Sequence, residues 1–278
     1  MPRTVSFEVP TDTAQFTFLQ LQPKTLLNLS WSGYARWLRE YAVAFPRLIR
    51  EFGFGAVILD IDIEYLERLE FFDSDTLEIS SGLRVLRGGS RLELVTDFSG
   101  AGRQAARATI ILCPVEIKEQ ETLTAAPTKL SPAMLEHFEA DEKDDSSPKR
   151  RVPDLIKQIE DNGEELGQTT EDFFIHHHYC EVAEQWSFIE VPNIVESARE
   201  QLALEHAAQH PAFRDSLTNP IGRINVELYQ PYFVYEPGQV VTTAYEWDGR
   251  PAFVHRLKSE RFPDNVYAAI IERFPGSR

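Results

Sequence analysis

Apolar and polar positions recur along this chain with two periods, and the two periods follow each other in the same order twice. Phe16 to Leu21 has the alternation of a short strand, whereas from Leu29 to Phe45 the spacing becomes helical. Tyr34, Trp37, Leu38, Tyr41 and Ala42 fall on one stripe of that helix, with Ser30 or Ser32 available as its N-cap. Pro46 is expected to end or kink it, and Gly53-Phe54-Gly55 to stop whatever continues. Four strand-like runs follow: Val57 to Leu66, Thr76 to Leu86, Ser90 to Phe98 and Ala105 to Val115. Gly88-Gly89 and Gly100-Ala101-Gly102 mark the turns between the last three.

The series then restarts. Phe173 to Val182 is strand-like, Pro192 to Glu205 is helical, and Arg223 to Tyr232, Gln239 to Trp247, Ala252 to Leu257 and Asn265 to Phe274 are strands, with Asp248-Gly249 as a hairpin signal. The copies share wording as well as rhythm. Residues 62–77 lie without gaps on 225–240, Ala108-Thr109-Ile110-Ile111 matches Ala268-Ala269-Ile270-Ile271, and each copy follows a helix with an Arg-Glu pair, Arg39-Glu40 and Arg199-Glu200. A repeat of about a hundred residues is far longer than a solenoid unit and points to a duplicated domain. Each half reads as a strand, a long helix and about four antiparallel strands, an α+β arrangement that buries the helix by wrapping a curved sheet around it. Exposed sheet edges would make two such units pair, and fusion would make the pairing permanent, so a site at their seam would belong to both.

The expected domains are 1–118 and 169–278, joined by an acidic linker over 119–168. Glu136, Glu139, Asp141, Glu142, Asp144 and Asp145, followed by Ser146-Ser147-Pro148-Lys149-Arg150-Arg151, solvate better than they pack. A flexible connector with one or two short surface helices is the plain reading, and a regulatory or partner-docking segment the alternative.

Composition narrows the partners. With 44 Asp+Glu against 28 Lys+Arg and a formal charge of -16, the chain lacks the basic face that nucleic acid needs and would be repelled by an anionic membrane. No run approaches the roughly 20 apolar residues of a membrane span, and no apolar segment follows a basic N-terminus, so a cytoplasmic location is expected. Cys113 and Cys180 make neither a disulfide framework nor a zinc set. His176-His177-His178 next to Cys180 invites a metal reading. In a strand, His176, His178 and Cys180 would share a face, but no further ligand is marked by spacing, and neither metal nor cofactor is expected.

Tyr34-Ala35-Arg36-Trp37-Leu38-Arg39-Glu40-Tyr41-Ala42 resembles the helix of the hotdog-fold thioesterases and dehydratases, in particular the 4-hydroxybenzoyl-CoA thioesterase-like branch. Ile63-Glu64-Tyr65 and Phe72-Asp73-Ser74-Asp75-Thr76-Leu77 are similar to that branch's next strand and turn. Glu196-Ser197-Ala198-Arg199 and Glu236-Pro237-Gly238-Gln239-Val240 are similar in the second half. The resemblance covers roughly 15 to 117 and 171 to 275. It implies a double hotdog, a pseudo-dimer binding acyl-CoA or acyl-carrier-protein thioesters in a seam tunnel near the start of the central helix. A homodimer of the double unit stays open as a further level of assembly. Asn28, Ser32 and Gly33 in the first half and Asn193 in the second are the substrate-binding expectations.

The chain departs from the branch where its acid should stand. Pro23-Lys24-Thr25-Leu26-Leu27-Asn28 has neither Asp nor His. A second hotdog arrangement sets a carboxylate on the helix about seven residues after an N-terminal Gly, and Gly33 to Glu40 and Asn193 to Glu200 both have that spacing. Such a carboxylate could attack the thioester or activate water while helix amides hold the oxyanion. Glu40 and Glu200 are therefore the catalytic candidates, with Glu196 one turn earlier on the same face and Glu181 as a stand-in for the missing Asp. Each has a bland alternative as an ion-pair former. Tyr34 and Tyr65 read first as core packing, although some double-hotdog acyltransferase/decarboxylases of polyketide pathways use a tunnel tyrosine. Arg84, Arg87, Arg91, Arg103 and Arg107 could meet a CoA phosphate or an acidic carrier, or be scattered solvated charge. Thioester hydrolysis is the leading expectation; the alternatives are dehydration, acyl transfer with decarboxylation, or a non-catalytic thioester-binding hotdog.

Overall fold

The computed structural model describes residues 3–119, 123–138, 151–260 and 264–275. The chain divides into two compact units, Met1–Thr17 with Leu21–Pro148, and Phe18–Gln20 with Lys149–Arg278. Most of the acidic run, residues 139–145, and the Ser146 to Arg150 stretch lie outside the described residues.

Unit 1 contains strand β1 (Thr4–Pro10), helices α1 (Pro23–Tyr41) and α2 (Phe45–Phe52), and strands β2 (Phe54–Tyr65), β3 (Thr76–Leu86), β4 (Arg91–Gly100), β5 (Arg103–Glu119) and β6 (Thr124–Pro127), then the single turn α3 (Pro132–Leu135). Its strands are antiparallel in the order β1-β3-β4-β5-β2, with β6 folding back on β5. Unit 2 contains helix α4 (Arg151–Asn162), strand β7 (Glu164–Phe174), helices α5 (Val191–His206) and α6 (Pro211–Thr218), and strands β8 (Arg223–Leu228), β9 (Pro237–Trp247), β10 (Arg250–Ser259) and β11 (Val266–Arg273). Their order, β7-β9-β10-β11-β8, is that of unit 1 with each strand replaced by its successor in the second half. The duplication read from the sequence is thus a duplication of topology.

The register refines the repeat. Ile63 pairs with Ala108, and Leu228 with Ala268. Matching Ala108 to Ala268 therefore equates Ile63 with Leu228, whereas the ungapped match of 62–77 to 225–240 equates it with Val226. The two sequence matches are two residues out of step, a slip that a period-2 strand absorbs without turning any side chain to the other face.

Helix α1 starts earlier than its serines suggested. Pro23 occupies the first turn, where its missing N–H costs nothing, and Ser30 sits inside the helix with its buried hydroxyl donating to Leu26 O at 2.8 Å. Leu26, Leu27, Tyr34, Trp37 and Leu38 form the buried stripe, and α1 packs against β3 and β4. Helix α1 stops at Tyr41. Pro46 neither ends nor kinks it; it falls in the first turn of α2, which Gly53 caps in the left-handed conformation at φ 59°. Gly33 is needed where α1 crosses β3, because a Cβ there would lie 2.0 Å from Ser81 Oγ and 2.7 Å from Ser81 Cβ. Ser81 and Thr96 share a hydrogen bond of 3.0 Å beneath it.

Two expected strands are displaced. Phe16 and Leu21 form only an isolated bridge, the edge of unit 1 being β1, and the strand expected over Phe173 to Val182 is instead β7, ending at Phe174. Strand β1 alternates Val5, Phe7 and Val9 with Thr4, Ser6 and Glu8 but buries only Val5, and β7 is polar on both sides of the pleat from Gln168 to Asp172 and buries no residue.

The segment read as a linker carries structure. Residues of β6, α3, α4 and the start of β7 all fall in 119–168, and α4 belongs to unit 2. Val152, Ile156 and Ile159 of α4 pack on Tyr245, Ala252, Val254, Ala269 and Ile271 of the sheet, and Arg256 meets Glu160 at 2.5 Å. Helix α5 packs on the other face, since the neighbouring Glu272 points to it. Unit 2 therefore has a helix on each face of its sheet.

Gly33→Ala is expected to destabilise the protein by about 1–3 kcal/mol through overpacking against Ser81. Urea denaturation of the variant beside the parent checks this, an unchanged midpoint being the contrary result.

Candidate active site

The candidate residues of unit 1 are spread along α1 and the end of β2. Gly33 is in the middle of α1, so its amide is spent inside the helix, and Glu40 is exposed in the last turn, at the negative end of the helix dipole. Asn28 is exposed and Ser32 half-buried on the same helix. Tyr65 is half-buried, its hydroxyl donating to Leu21 O at 2.7 Å. Tyr34 is fully buried, stacked on Trp31 with centroids 4.7 Å apart and edge-on to Phe45 at 5.7 Å. Its hydroxyl has no hydrogen-bond partner among the described residues, and burial pushes its pKa far above that of free tyrosine.

Unit 2 is different. Asn193 does open its helix, in the first turn of α5, where its Nδ2 donates to Glu190 Oε2 at 3.3 Å. Asn193, Glu196 and Glu200 occupy one stripe of α5, three and four residues apart. Glu200 is 51% exposed and 3.8 Å from Arg199. Glu196 is 29% exposed, and its Oε1 accepts from Arg199 Nη2 at 3.3 Å. Burial raises its carboxyl above the usual range, Glu272 and Glu200 add to the rise, and Arg199 opposes it.

Behind Glu196 runs a buried polar chain that sequence reasoning missed. Arg199, 3% exposed, donates from Nε to Glu272 Oε2 at 2.8 Å and from Nη1 to Ser216 O of α6 at 3.1 Å. Glu272 Oε2 also lies 3.3 Å from His255 Nε2, and His255 Nδ1 is 2.8 Å from Thr242 Oγ1. Thr242, His255 and Glu272 come from the adjacent strands β9, β10 and β11. Burial pushes the Glu272 carboxyl up, but Arg199 and His255 together outweigh it and hold the pKa below the usual range. The signal was present in the sequence: in Ala268-Ala269-Ile270-Ile271-Glu272 the acid shares a face with Ile270, and an acid on a core face requires a partner. Chemically, the chain fixes Arg199, and Arg199 in turn aims a half-buried carboxylate of raised pKa past an amide one turn away.

The other signals separate. Glu181 lies in the exposed loop before α5, where it accepts from Ser187 Oγ at 3.1 Å and desolvation raises its carboxyl. The three histidines form no strand. His177 and His178 are in a 3₁₀ turn, the His176 and His178 rings stack at 5.8 Å, and His177 is edge-on to Tyr235 at 5.0 Å. No group of three metal-binding side chains occurs among the described residues. Of the five arginines singled out in unit 1, Arg103 pairs with Asp73 at 2.7 Å and Arg107 with Asp97 at 2.6 Å, both near the surface.

No protein-family model matches the chain, and no curated protein does. Solved structures do. A protein described as an oleoyl thioesterase, from Lactobacillus plantarum, is 11% identical with a TM-score of 0.74, covering 100% of this chain and 98% of its own. An acyl-ACP thioesterase from Bacteroides thetaiotaomicron is 11% identical with a TM-score of 0.66, covering 98% of each chain. The 12:0-ACP thioesterase from Umbellularia californica is 8% identical with a TM-score of 0.71, over 99% of this chain and 94% of its own. At these identities the likeness speaks for the fold, which is the double hotdog. No helix of the described residues is long and apolar enough to cross a membrane.

Glu272→Gln leaves Arg199 buried without its counter-charge and is expected to cost about 3–5 kcal/mol. Because the native pKa of Glu272 is depressed, its stabilisation is fully present above the unfolded value of about 4.3 and is lost as pH falls through the lower native value. Urea denaturation over that acid range should show the gap between parent and variant closing as pH drops; a gap independent of pH is the contrary result.

Proposed function

We propose that the protein hydrolyses acyl thioesters, with Glu196 as the general base. The observation that carries the assignment is that Glu196 is half-buried, accepts from a buried arginine and has its carboxyl raised by desolvation, whereas Glu40 and Glu200 are exposed. The likeness over nearly the whole chain to thioesterase structures supports the same reading.

In this mechanism Asn193 offers its amide N–H to the thioester carbonyl from the first turn of α5. Glu196 takes a proton from a water, whose oxygen forms a bond to the carbonyl carbon. Collapse of the tetrahedral intermediate breaks the C–S bond, and the proton held by Glu196 passes to the leaving sulfur. One water and one thioester thus become one carboxylic acid and one thiol. A base whose pKa is raised towards neutrality accepts the proton more readily than an ordinary carboxylate. Arg199 opposes the rise in the Glu196 pKa, and Glu272 and His255 position Arg199 without touching substrate. Acyl-CoA and acyl-carrier-protein thioesters both fit this chemistry.

Thiol release from a panel of acyl-CoA and acyl-carrier-protein thioesters tests the reading. Glu196→Gln is expected to lower kcat by about 100-fold or more and to remove the acid limb of the pH–rate profile, which in the parent should lie above the ordinary carboxylate pKa of about 4.3. Glu40→Gln and Glu200→Gln should leave kcat within about twofold. No thiol release from any thioester overturns the reaction, and an unimpaired Glu196→Gln enzyme overturns the assignment of the base.

A further inference from the structure

Strand β7 ends the sheet of unit 2, paired with β9 along one side and, among the described residues, with no strand along the other. Such an edge leaves outward-facing backbone N–H and C=O groups unpaired, and folded proteins blunt it with a short strand, proline, lysine or a bulge. Strand β7 makes little use of these devices. It is 11 residues long, contains neither proline nor lysine, and has a single irregularity, between Glu165 and Gly167, beyond which Gly167 to Phe174 stay in regular register. The edge strand of unit 1, β1, is 7 residues long and closes on Pro10.

Every charged side chain of β7 is acidic: Glu164, Glu165, Glu171 and Asp172. Asp172 accepts from Gln239 Nε2 of β9 at 2.9 Å. Glu171 is in a different position. It is in step with Gly167, where a Cβ would lie 3.8 Å from Leu202 and 3.9 Å from Phe213, so it belongs to the face that carries α5. Its Oε1 is shut off from solvent and has no hydrogen-bond partner among the described residues. Desolvation raises the Glu171 carboxyl, and the nearby carboxylate of Glu205 on α5 adds to the rise. Residues directly opposite on neighbouring strands share a face, with Cβ atoms about 5 Å apart. A basic side chain placed opposite Glu171, on a strand added beyond β7, would therefore lie against both carboxylates. A second copy of β7 is a poor occupant of the same edge. Antiparallel pairing about the polar middle, Gln168-Thr169-Thr170, would set the Glu164-Glu165 end of one copy against the Glu171-Asp172 end of the other, and opposed like charges destabilise a strand pair.

We propose that the outer edge of β7 takes up an extended, lysine- or arginine-bearing segment of a partner protein as an additional strand. Backbone hydrogen bonds supply the attachment, and Glu171 with Glu205 selects the basic side chain. This docking is independent of the thioester chemistry proposed for Glu196.

Three short peptides titrated into the full chain test it: one alternating lysine and valine, the same peptide N-methylated at every second residue, and one alternating glutamate and valine. The lysine peptide is expected to bind and to slow amide hydrogen exchange within 164–174, and the glutamate peptide is expected not to bind. N-methylation keeps the charge but removes the donors along one edge, and should weaken binding by about tenfold or more. Glu205→Lys changes an exposed helix residue and leaves the strand intact, and should weaken binding by about threefold or more. The proposal is overturned if the lysine peptide does not bind, if the N-methylated or glutamate peptide binds as well, if exchange slows elsewhere than in 164–174, or if Glu205→Lys binds as the parent does. Protection of 164–174 that grows with protein concentration in the absence of peptide also overturns it, by assigning the edge to a second copy of the chain.

Discussion

Unit 2 is organised around a guanidinium that water hardly reaches. Arg199 donates to a β-strand carboxylate, to the carbonyl of Ser216 in α6 and to Glu196 on its own helix, and its guanidinium lies 5.4 Å from the centre of the Phe274 ring. One side chain thereby fixes α5 against β11 and α6 at once, and sets the rotation of α5 about its own axis. A buried ion pair is a poor source of net stability compared with apolar packing of the same volume, since both partners must be desolvated. What it supplies here is orientation. An apolar interface would allow α5 to roll by a fraction of a turn, and Glu196 would move with it.

Unit 1 solves the same helix-on-sheet problem by other means. Where α5 carries Ala198 and Arg199, α1 carries Leu38 and an exposed Arg39, and its close approach is made at Gly33, over the Ser81 and Thr96 hydroxyls. Contact between backbone and strand replaces a charge network. The two copies keep one topology while differing in the physics that seats the helix, and among the described residues the second surrounds a helix carboxylate with buried charge.

What the sequence made legible follows from how each element is buried. Strand β3 was readable to the residue, Thr76 to Leu86, because one face is core and the other is not, so apolar and polar positions alternate cleanly. The middle of α1 was readable from its aromatic stripe. Its start was not, because the serines that look like caps include one that bonds back to Leu26 O, while the true first turn is marked only by Pro23. Edge strand β7 buries too little for a pattern to form, whereas β1 does alternate, in a stretch of only seven residues. At the candidate site, Glu196 was legible as a carboxylate on a helix face. The repeated seven-residue spacing to Glu40 and Glu200 was equally legible, but spacing along a helix says nothing of solvent exposure. Glu272 was marked by sharing a face with Ile270, but its partners Arg199 and His255, distant along the chain, were not.

The helix α4 changes what counts as the second domain. The repeat in the sequence ends where the shared strands and helix end, yet Val254, Ala269 and Ile271 have an apolar face that Val152, Ile156 and Ile159 of α4 cover. The segment that was duplicated and the segment that must be present for burial are therefore different lengths of chain. Ancestry is counted in one, and folding in the other.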